Sequence, residues 1–448
     1  MKWVVLGLAI AMYALVIAFQ DKKVYFALSA GFIVILLGII FPGSIFPLPE
    51  DILSYESSTP SHWYALNHSI GDIINWNVLL IYLGSMTIAS LFIYSRVPAR
   101  IADDIVRRSK NTGLAMVSIL AMTGIISIFV ENVATVLVMA PIALALCRKL
   151  NINPTLFMMG LAVMSNLEGT ATLVGDPPSM IFASYANYNF NDFFFHAGHL
   201  SIFFIIQAGM LSGCAFFYFF FAKNGKNKID VDREEVISWF PFILLLTMIF
   251  GLAGISFIHT SFEYLSGLFV FALGLTGIIW FRFFQHQSKE ESWKVIKELD
   301  WETIFFLIGI FVVIGGIKET GLLDDFALFL AKLTGGSKLL GFIILLVVSI
   351  VISGFVDNVP YIIAMLPVAG SMAASMNLNA ELYMFALLVG SCLGGNLTPF
   401  GASANIVTMG IIKKEGYPMK FSDWLKIGVP FTVITTTVAA LVLWLLWA

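Results

Sequence analysis

Two short segments, 226 positions apart, each set a carboxylate beside a carboxamide within an apolar run: Phe129-Val130-Glu131-Asn132-Val133-Ala134-Thr135 and Phe355-Val356-Asp357-Asn358-Val359-Pro360. A carboxylate inside a bilayer costs about 2.5–3.5 kcal/mol on insertion scales unless it is paired, protonated or wet, so a pair of them at matching places implies use. The adjacent Asn supplies an amide oxygen and a donor, and each segment can coordinate a small cation or hold a proton. The same groups also suit helix N-caps, since a side-chain oxygen there satisfies free backbone N–H groups. Glu131, Asn132, Thr135, Asp357 and Asn358 are therefore candidate ion-binding residues.

Two further segments are rich in glycine and proline within hydrophobic runs: Ser165-Asn166-Leu167-Glu168-Gly169-Thr170-Ala171-Thr172-Leu173-Val174-Gly175-Asp176-Pro177-Pro178 and Ser391-Cys392-Leu393-Gly394-Gly395-Asn396-Leu397-Thr398-Pro399-Phe400-Gly401-Ala402-Ser403-Ala404-Asn405. Such density unwinds a membrane helix, and unwound backbone at that depth survives only where protein buries it or it lines a cavity. Freed carbonyls suit a cation, and half-helix N-termini suit an anion. The candidates here are Asn166, Gly169, Thr170, Thr172, Gly175 and Asp176 in the first segment. In the second they are Gly395, Asn396, Thr398, Gly401, Ser403 and Asn405. Neither segment ends in Gly-Lys-Ser/Thr, so neither is a phosphate loop. No nucleophile-base pair or metal triad is legible, which argues against an enzyme and against a resident cofactor other than a bound ion.

The elements that must position these groups are membrane helices. With 59% hydrophobic and 12% charged residues in 448, the chain is far from the roughly 25% charge of soluble domains. Ten apolar runs read as spans, at about 3–19, 24–46, 77–95, 153–185, 200–222, 239–258, 265–284, 302–317, 382–412 and 427–448. The runs at about 112–147 and 339–373 carry the polar pairs near their middles and read as re-entrant hairpins. Amphipathic stretches at 97–109 and 322–333 suit helices lying along the membrane surface. Met1 to Phe19 lacks a small-residue cleavage site and reads as a retained first helix, not a signal peptide.

The chain repeats itself. At a shift of 225, Ile74-Asn75-Trp76 matches Leu299-Asp300-Trp301; at a shift of 226, residues 131–179 align without a gap on 357–405. Pro141 meets Pro367, Asn151 meets Asn377, and Gly169 and Gly175 meet Gly395 and Gly401. An odd number of crossings separates the copies, so they run in opposite directions, with the binding site expected where they meet. The expected architecture is an all-α polytopic membrane protein of about ten transmembrane helices plus two re-entrant hairpins in two inverted repeats. Residues 1–222 form the first repeat, with its broken helix at about 153–185; 223–238 form a cytoplasmic connection; and 239–448 form the second, with its broken helix at about 382–412.

Cys147, Cys214 and Cys392 show no pairing or metal spacing and read as packing residues. His62, His68, His196, His199, His259 and His286 map to loops or interfaces and read as solvated, with His196 and His199 placed to modulate a pH response on the outer side. A net charge of −3, with basic residues in short clusters, gives no footprint for nucleic acid.

On the Glu131-Asn132 and Asp357-Asn358 pairs and the two glycine-rich segments, the sequence resembles the ion transporter superfamily. Within it the sequence is most similar to the arsenite permease, sodium/proton antiporter and melanocyte P-protein group, which is related to divalent anion/sodium symporters and citrate transporters. The resemblance implies a scaffold and a mobile transport region, usually in a homodimer working by an elevator movement. It also implies a sodium ion at Asn132 and Asn358 with the backbone of 169–172 and 395–398. The symporters carry Ser-Asn-Thr at each tip, where this chain has Glu131-Asn132-Val133 and Asp357-Asn358-Val359. Two added negative charges repel a polyanion unless protonated or cation-bound, which favours proton-linked or cation-exchanging transport of a small inorganic ion or anion. Sodium- or proton-coupled uptake of citrate or a dicarboxylate is the alternative. Membrane lipids and a small ion or anionic substrate are the expected partners, with a plasma (inner) membrane location if the source is bacterial.

Topology is directly testable. With both termini outside, only Lys2, Lys318, Lys332 and Lys338 of the 25 Lys and Arg fall outside. Single cysteines at Arg108 and Arg148 should then label from the same face, and labelling from opposite faces would refute a re-entrant first hairpin.

Overall fold

The protein is described from a computed structural model that covers residues 1–19, 22–49, 59–221, 233–258 and 262–448. In chain order its helices are α1 (Lys2–Ala18), α2 (Lys23–Ile40), α3 (Thr59–His68), α4 (Trp76–Tyr94), α5 (Val97–Arg108), α6 (Thr112–Ser127), α7 (Asn132–Leu150), α8 (Thr155–Gly169), α9 (Pro177–Ala186) and α10 (Ile202–Phe221). There follow α11 (Phe240–Ile255), α12 (Leu265–Phe283), α13 (Lys289–Lys297), α14 (Trp301–Glu319), α15 (Leu322–Leu333), α16 (Lys338–Ser353), α17 (Asn358–Ser375), α18 (Ala380–Gly394), α19 (Ser403–Lys414) and α20 (Phe421–Trp447). A two-residue hairpin, β1 (Phe195–His196) with β2 (His199–Leu200), is the one sheet among the described residues.

Nine helices among the described residues are long and apolar enough to cross a membrane. The chain is an all-α, multi-pass integral membrane protein. Both glycine-rich segments break their helices where expected: α8 stops at Gly169 and α9 starts at Pro177, while α18 stops at Gly394 and α19 starts at Ser403. Each polar pair sits at the turn of a helical hairpin, between α6 and α7 and between α16 and α17.

The internal repeat extends to backbone conformation and to single hydrogen bonds. Arg96 and Gly321, 225 apart, both take positive φ (58° and 72°) and turn the chain from α4 into α5 and from α14 into α15. Asn151 and Asn377, 226 apart, share a φ of 53° at the ends of α7 and α17. Packing follows the same plan. α2 lies on α14 as α12 lies on α4, and α6 lies on α8 as α16 lies on α18. These contacts are backbone-close: a Cβ on Gly31 would reach 3.0 Å from the carbonyl of Gly309, and one on Gly274 3.2 Å from Gly84. Small residues at such crossings let helices approach where lipid gives no hydrophobic drive. The second arms of the broken helices change partners. α9 packs on α17 of the other hairpin, and α19 packs on α7.

Two expectations need correction. The stretch between the apolar runs at 24–46 and 77–95, to which the sequence assigned no element, contains α3 and a π-helical turn at Ser69–Ile73, because an apolar face with Ala65 seats it under α2. The histidines are not simply solvated. His62 lies 2.6 Å from the Ile39 carbonyl, and His196 is wedged between Asp192 (3.0 Å) and Glu381 (3.7 Å) while stacking on Tyr188. Of the 223–238 connection, residues 223–232 lie outside the described residues, as does His259; the remainder docks on α5 through Arg233–Asp104 (2.9 Å) and Arg96–Glu234 (2.6 Å).

The partner exchange by α19 is testable at its end, where Arg148 of α7 and Glu415 beyond α19 form an ion pair. In a background lacking Cys147, Cys214 and Cys392, cysteines at 148 and 415 should be joined by a short bifunctional thiol reagent. Absence of the intramolecular product would remove the α7–α19 contact.

Candidate functional site

Besides α2, which starts at Lys23, five helices begin at one cavity. The first turn of any helix has free N–H groups and a partial positive charge, so each start calls for an acceptor. Four are filled by the chain's own carboxylates. Glu131 accepts from the Ala134 N–H (2.9 Å) at the head of α7, and Asp357 from Val359 (3.1 Å) at the head of α17. Asp176 accepts from Ser179 (3.0 Å) at the head of α9, and Asp300 from Thr303 (3.0 Å) at the head of α14. The fifth, α19, has Ala402 as its N-cap and no side-chain cap; Ala402 and Ser403 line the same cavity.

Against these four carboxylates the lining offers one cation, Lys23, at the first residue of α2. Its ammonium lies 3.5 Å from Asp357 and 5.4 Å from the Phe306 ring centre. Tyr82, fully buried, donates to Asp300 at 3.1 Å. An N-terminal dipole offsets at most about 2 kcal/mol for a carboxylate in favourable, partly buried geometry. That is less than the 2.5–3.5 kcal/mol or so an acid costs at membrane depth. Capping alone therefore leaves a deficit at Glu131 and Asp176, and water, a proton or a bound cation must supply the rest.

Of the residues singled out from sequence, Glu131, Asn132, Asn166, Asp176, Asp357, Asn358 and Ser403 line the cavity. The others brace it. Thr172 donates to the Ile128 carbonyl and Thr398 to Gly354, each tying a broken helix to its own hairpin turn at matching positions of the repeat. Ser127 and Ser353 donate to the carboxamide oxygens of Asn132 and Asn358 in the same matched way. Thr135 donates to Val130 (3.1 Å) and Thr170 to Asn166 (3.3 Å). Asn166 donates to both Asn396 (2.8 Å) and Asn405 (2.9 Å), locking the two breaks together, and Trp424 of α20 donates to the Asn396 carbonyl (3.0 Å).

The unwound carbonyls are also partly engaged: Ser179 donates to Thr170 (3.3 Å), and Asn405 donates to Gly395 and Thr398 (both 2.9 Å). No group of three or more His, Cys, Asp or Glu able to hold a metal is found among the described residues. A hard cation would instead find the carboxylates of Glu131 and Asp176 and the Asn166 amide oxygen, which is buried without a partner at the cavity wall. Carboxylate and amide oxygens suit sodium-like or magnesium-like ions.

Lys23, Tyr82, Asp300, Thr303 and Phe306 were not legible as site residues. Lys23 reads in the sequence as a topological charge, and Asp300 as a register marker opposite Asn75. Only the packing of α2 and α14 beside the second hairpin puts them here. The glycines are seats, not cavity wall. A Cβ on Gly169 would strike the Asn132 carboxamide, one on Gly175 the Gly169 carbonyl, and one on Gly401 the Gly395 carbonyl.

The model of one protein family, described as citrate transporter, matches residues 35–390 and 327–448. A 46 kDa membrane protein of Mycobacterium leprae is 31% identical over 99% of both chains. An uncharacterized transporter of Mycobacterium tuberculosis is 29% identical, again over 99% of both. The human P protein is 24% identical over 84% of this chain and 54% of its own. Among solved structures, the YdaH transporter of Alcanivorax borkumensis aligns with a TM-score of 0.61 over 92% of this chain and 95% of its own, at 14% identity. MtrF of Neisseria gonorrhoeae gives a TM-score of 0.57 over 93% and 94%, also at 14%; at that identity the likeness is one of fold.

The seating role predicts how glycine variants fail. Gly169→Ala or Gly401→Ala should lower stability by about 1–3 kcal/mol, the usual range for overpacking, and alter tip accessibility measured with a cysteine at Val133. Unchanged melting and labelling would show that the breaks have slack.

Proposed function

The chain belongs to the citrate transporter family and is a membrane transporter, and from that premise we propose that it is a secondary active transporter of a small inorganic ion or anion, driven by a proton or sodium gradient, with Glu131 and Asp357 as coupling groups. The observation that carries this reading is the imbalance in the cavity, four carboxylates against one ammonium. Such a lining attracts protons and cations and repels a bare polyanion. A cation or proton taken up at the tips neutralises the lining and lets an anionic cargo approach. The uncapped start of α19, beside Lys23, Glu302 and Asp357 in an adjoining cavity, supplies free N–H groups for an anion once the acids are neutralised.

In this reading residues 1–222 and 239–448 are inverted repeats, the two helical hairpins are re-entrant, and both termini lie outside. The bodies built on α6–α10 and α16–α20 move together past a scaffold of α1, α2, α4, α11, α12 and α14, as an elevator within a homodimer. Few element contacts join hairpins to scaffold: α4 touches α7 and α9, and α14 touches α17. That sparseness supports a sliding seam.

The alternative cargo is citrate or a dicarboxylate, favoured by the description of the matching family. Here the acid-rich lining requires the carboxylate to arrive with cations or protons that cancel its charge.

Liposomes with an imposed pH or sodium gradient test the reading. The wild type should accumulate cargo from a panel of arsenite, chloride, citrate and succinate. Glu131→Gln and Asp357→Asn keep size and hydrogen bonding while removing charge, and at least one should lose about tenfold or more of gradient-driven uptake, the scale on which a lost acid–base or ion contact acts. Wild-type uptake in both would make the carboxylates helix caps only.

A further inference from the structure

The two hairpin turns share their bracing bonds from Ser127 and Ser353 and from Thr172 and Thr398, yet their carboxylates are neutralised differently. Asp357 has Lys23, at 3.5 Å, with the lysine side chain only 16% exposed and the aspartate 32%. Glu131, at the matching place, pairs with no ammonium or guanidinium among the described residues; its nearest charged neighbours in the lining are acids, Asp176 and Asp300. The helix that takes the role of α2 on the other side is α12, and it brings no replacement. Its one basic residue, Arg282, is at the far end and donates to the Gln287 carbonyl (2.6 Å).

Other asymmetries point the same way. Position 176 is Asp in the first repeat and the matching position 402 is Ala; position 166 is Asn and its match, 392, is Cys. The first turn thus gains two oxygen donors where the second has none. One of them, the Asn166 amide oxygen, is buried and unpartnered, held in place by the bonds its nitrogen makes to Asn396 and Asn405. An acceptor fixed without a donor, beside two carboxylates without a counter-charge, is arranged for a cation.

We infer that Lys23 is a tethered counter-cation: its ammonium fills at the second hairpin turn the place that an exchangeable hard cation fills at the first, so the cavity takes one such ion, at Glu131, Asp176 and Asn166, and not two. This rests on the reading of the cavity as an ion-coupled transport site, but it concerns equilibrium binding. In the conformation seen here Asp357 has a tethered partner, while Glu131 exchanges its own. Lys23 belongs to the scaffold and Asp357 to a hairpin, so their pair also spans the seam between the two.

The test is thermal unfolding of the purified full-length protein at alkaline pH, titrated with sodium, lithium or magnesium chloride while choline chloride holds the ionic strength. Ligands that bind only the folded state raise the midpoint in a saturable way. The wild type should show one saturable rise with at least one of these ions, and Glu131→Gln should lose it. Lys23→Gln should be less stable in choline and acquire a second saturable rise as an external ion takes the place beside Asp357; Lys23→Arg should keep the single rise. If Lys23→Gln does not fold, the double variant Lys23→Gln/Asp357→Asn, which removes both charges together, decides: it should retain the single rise. A wild type indifferent to all three salts, two saturable rises in the wild type, a Lys23→Gln titration identical to wild type, or loss of the rise in the double variant would each overturn the inference. Failure of gradient-driven uptake in liposomes bears on the transport reading and leaves this titration unaffected.

Discussion

Carboxylates capping helices at one shared cavity within a multi-pass membrane protein are the constraint on which the rest of this structure depends. Of the helix starts that converge on one cavity, four have free N–H groups filled by an acid, Glu131, Asp176, Asp300 or Asp357. A helix can start inside a bilayer only if such groups are satisfied. The acids therefore make the broken helices and hairpin turns possible, and that geometry in turn brings the acids together. Neither could be kept without the other, because unfilled helix starts and unsolvated carboxylates are both costly where water is scarce.

Bracing of the cavity is separate from its lining. Thr172, Thr398, Ser127 and Ser353 make the same bonds in both halves, and Asn166 links the two breaks across the repeat boundary through Asn396 and Asn405. These bonds fix the turns so that the carboxylates face one space. The seats are glycine because the partner is a backbone carbonyl or a carboxamide at contact distance, as at Gly169 and Gly401. A rigid frame around few charged groups is what allows a bound ion to change the electrostatics without the fold giving way.

Within this near-symmetric frame, the charges and caps of the cavity depart from symmetry. Lys23 stands on one side only, Asp176 faces a helix start whose match is Ala402, and the start of α19 is left open. A cavity with equal halves would hold like charges face to face. On the proposed reading, the departures give it one side that takes up a cation and another that an anion can approach.

What the sequence determined by itself is the set of elements: apolar length marked the spans, the polar pairs marked the hairpin turns, and glycine and proline marked the breaks to within a few residues. The 226-residue shift also predicted which positions share a local environment, as Asn151 and Asn377 do down to the same φ. These are properties of local chain chemistry, set by desolvation of the backbone and by which residues tolerate an interrupted helix. Only the tertiary structure decided which polar residues face the cavity. Thr135, Thr172, Thr398 and Asn405 turned inward to brace backbone, while Lys23, Tyr82 and Asp300, distant in sequence and unremarkable there, entered the site because α2, α4 and α14 pack beside the hairpins. Spacing along a helix tells which residues share a face; which neighbour that face meets depends on long-range packing, and the charge balance of the cavity was settled there.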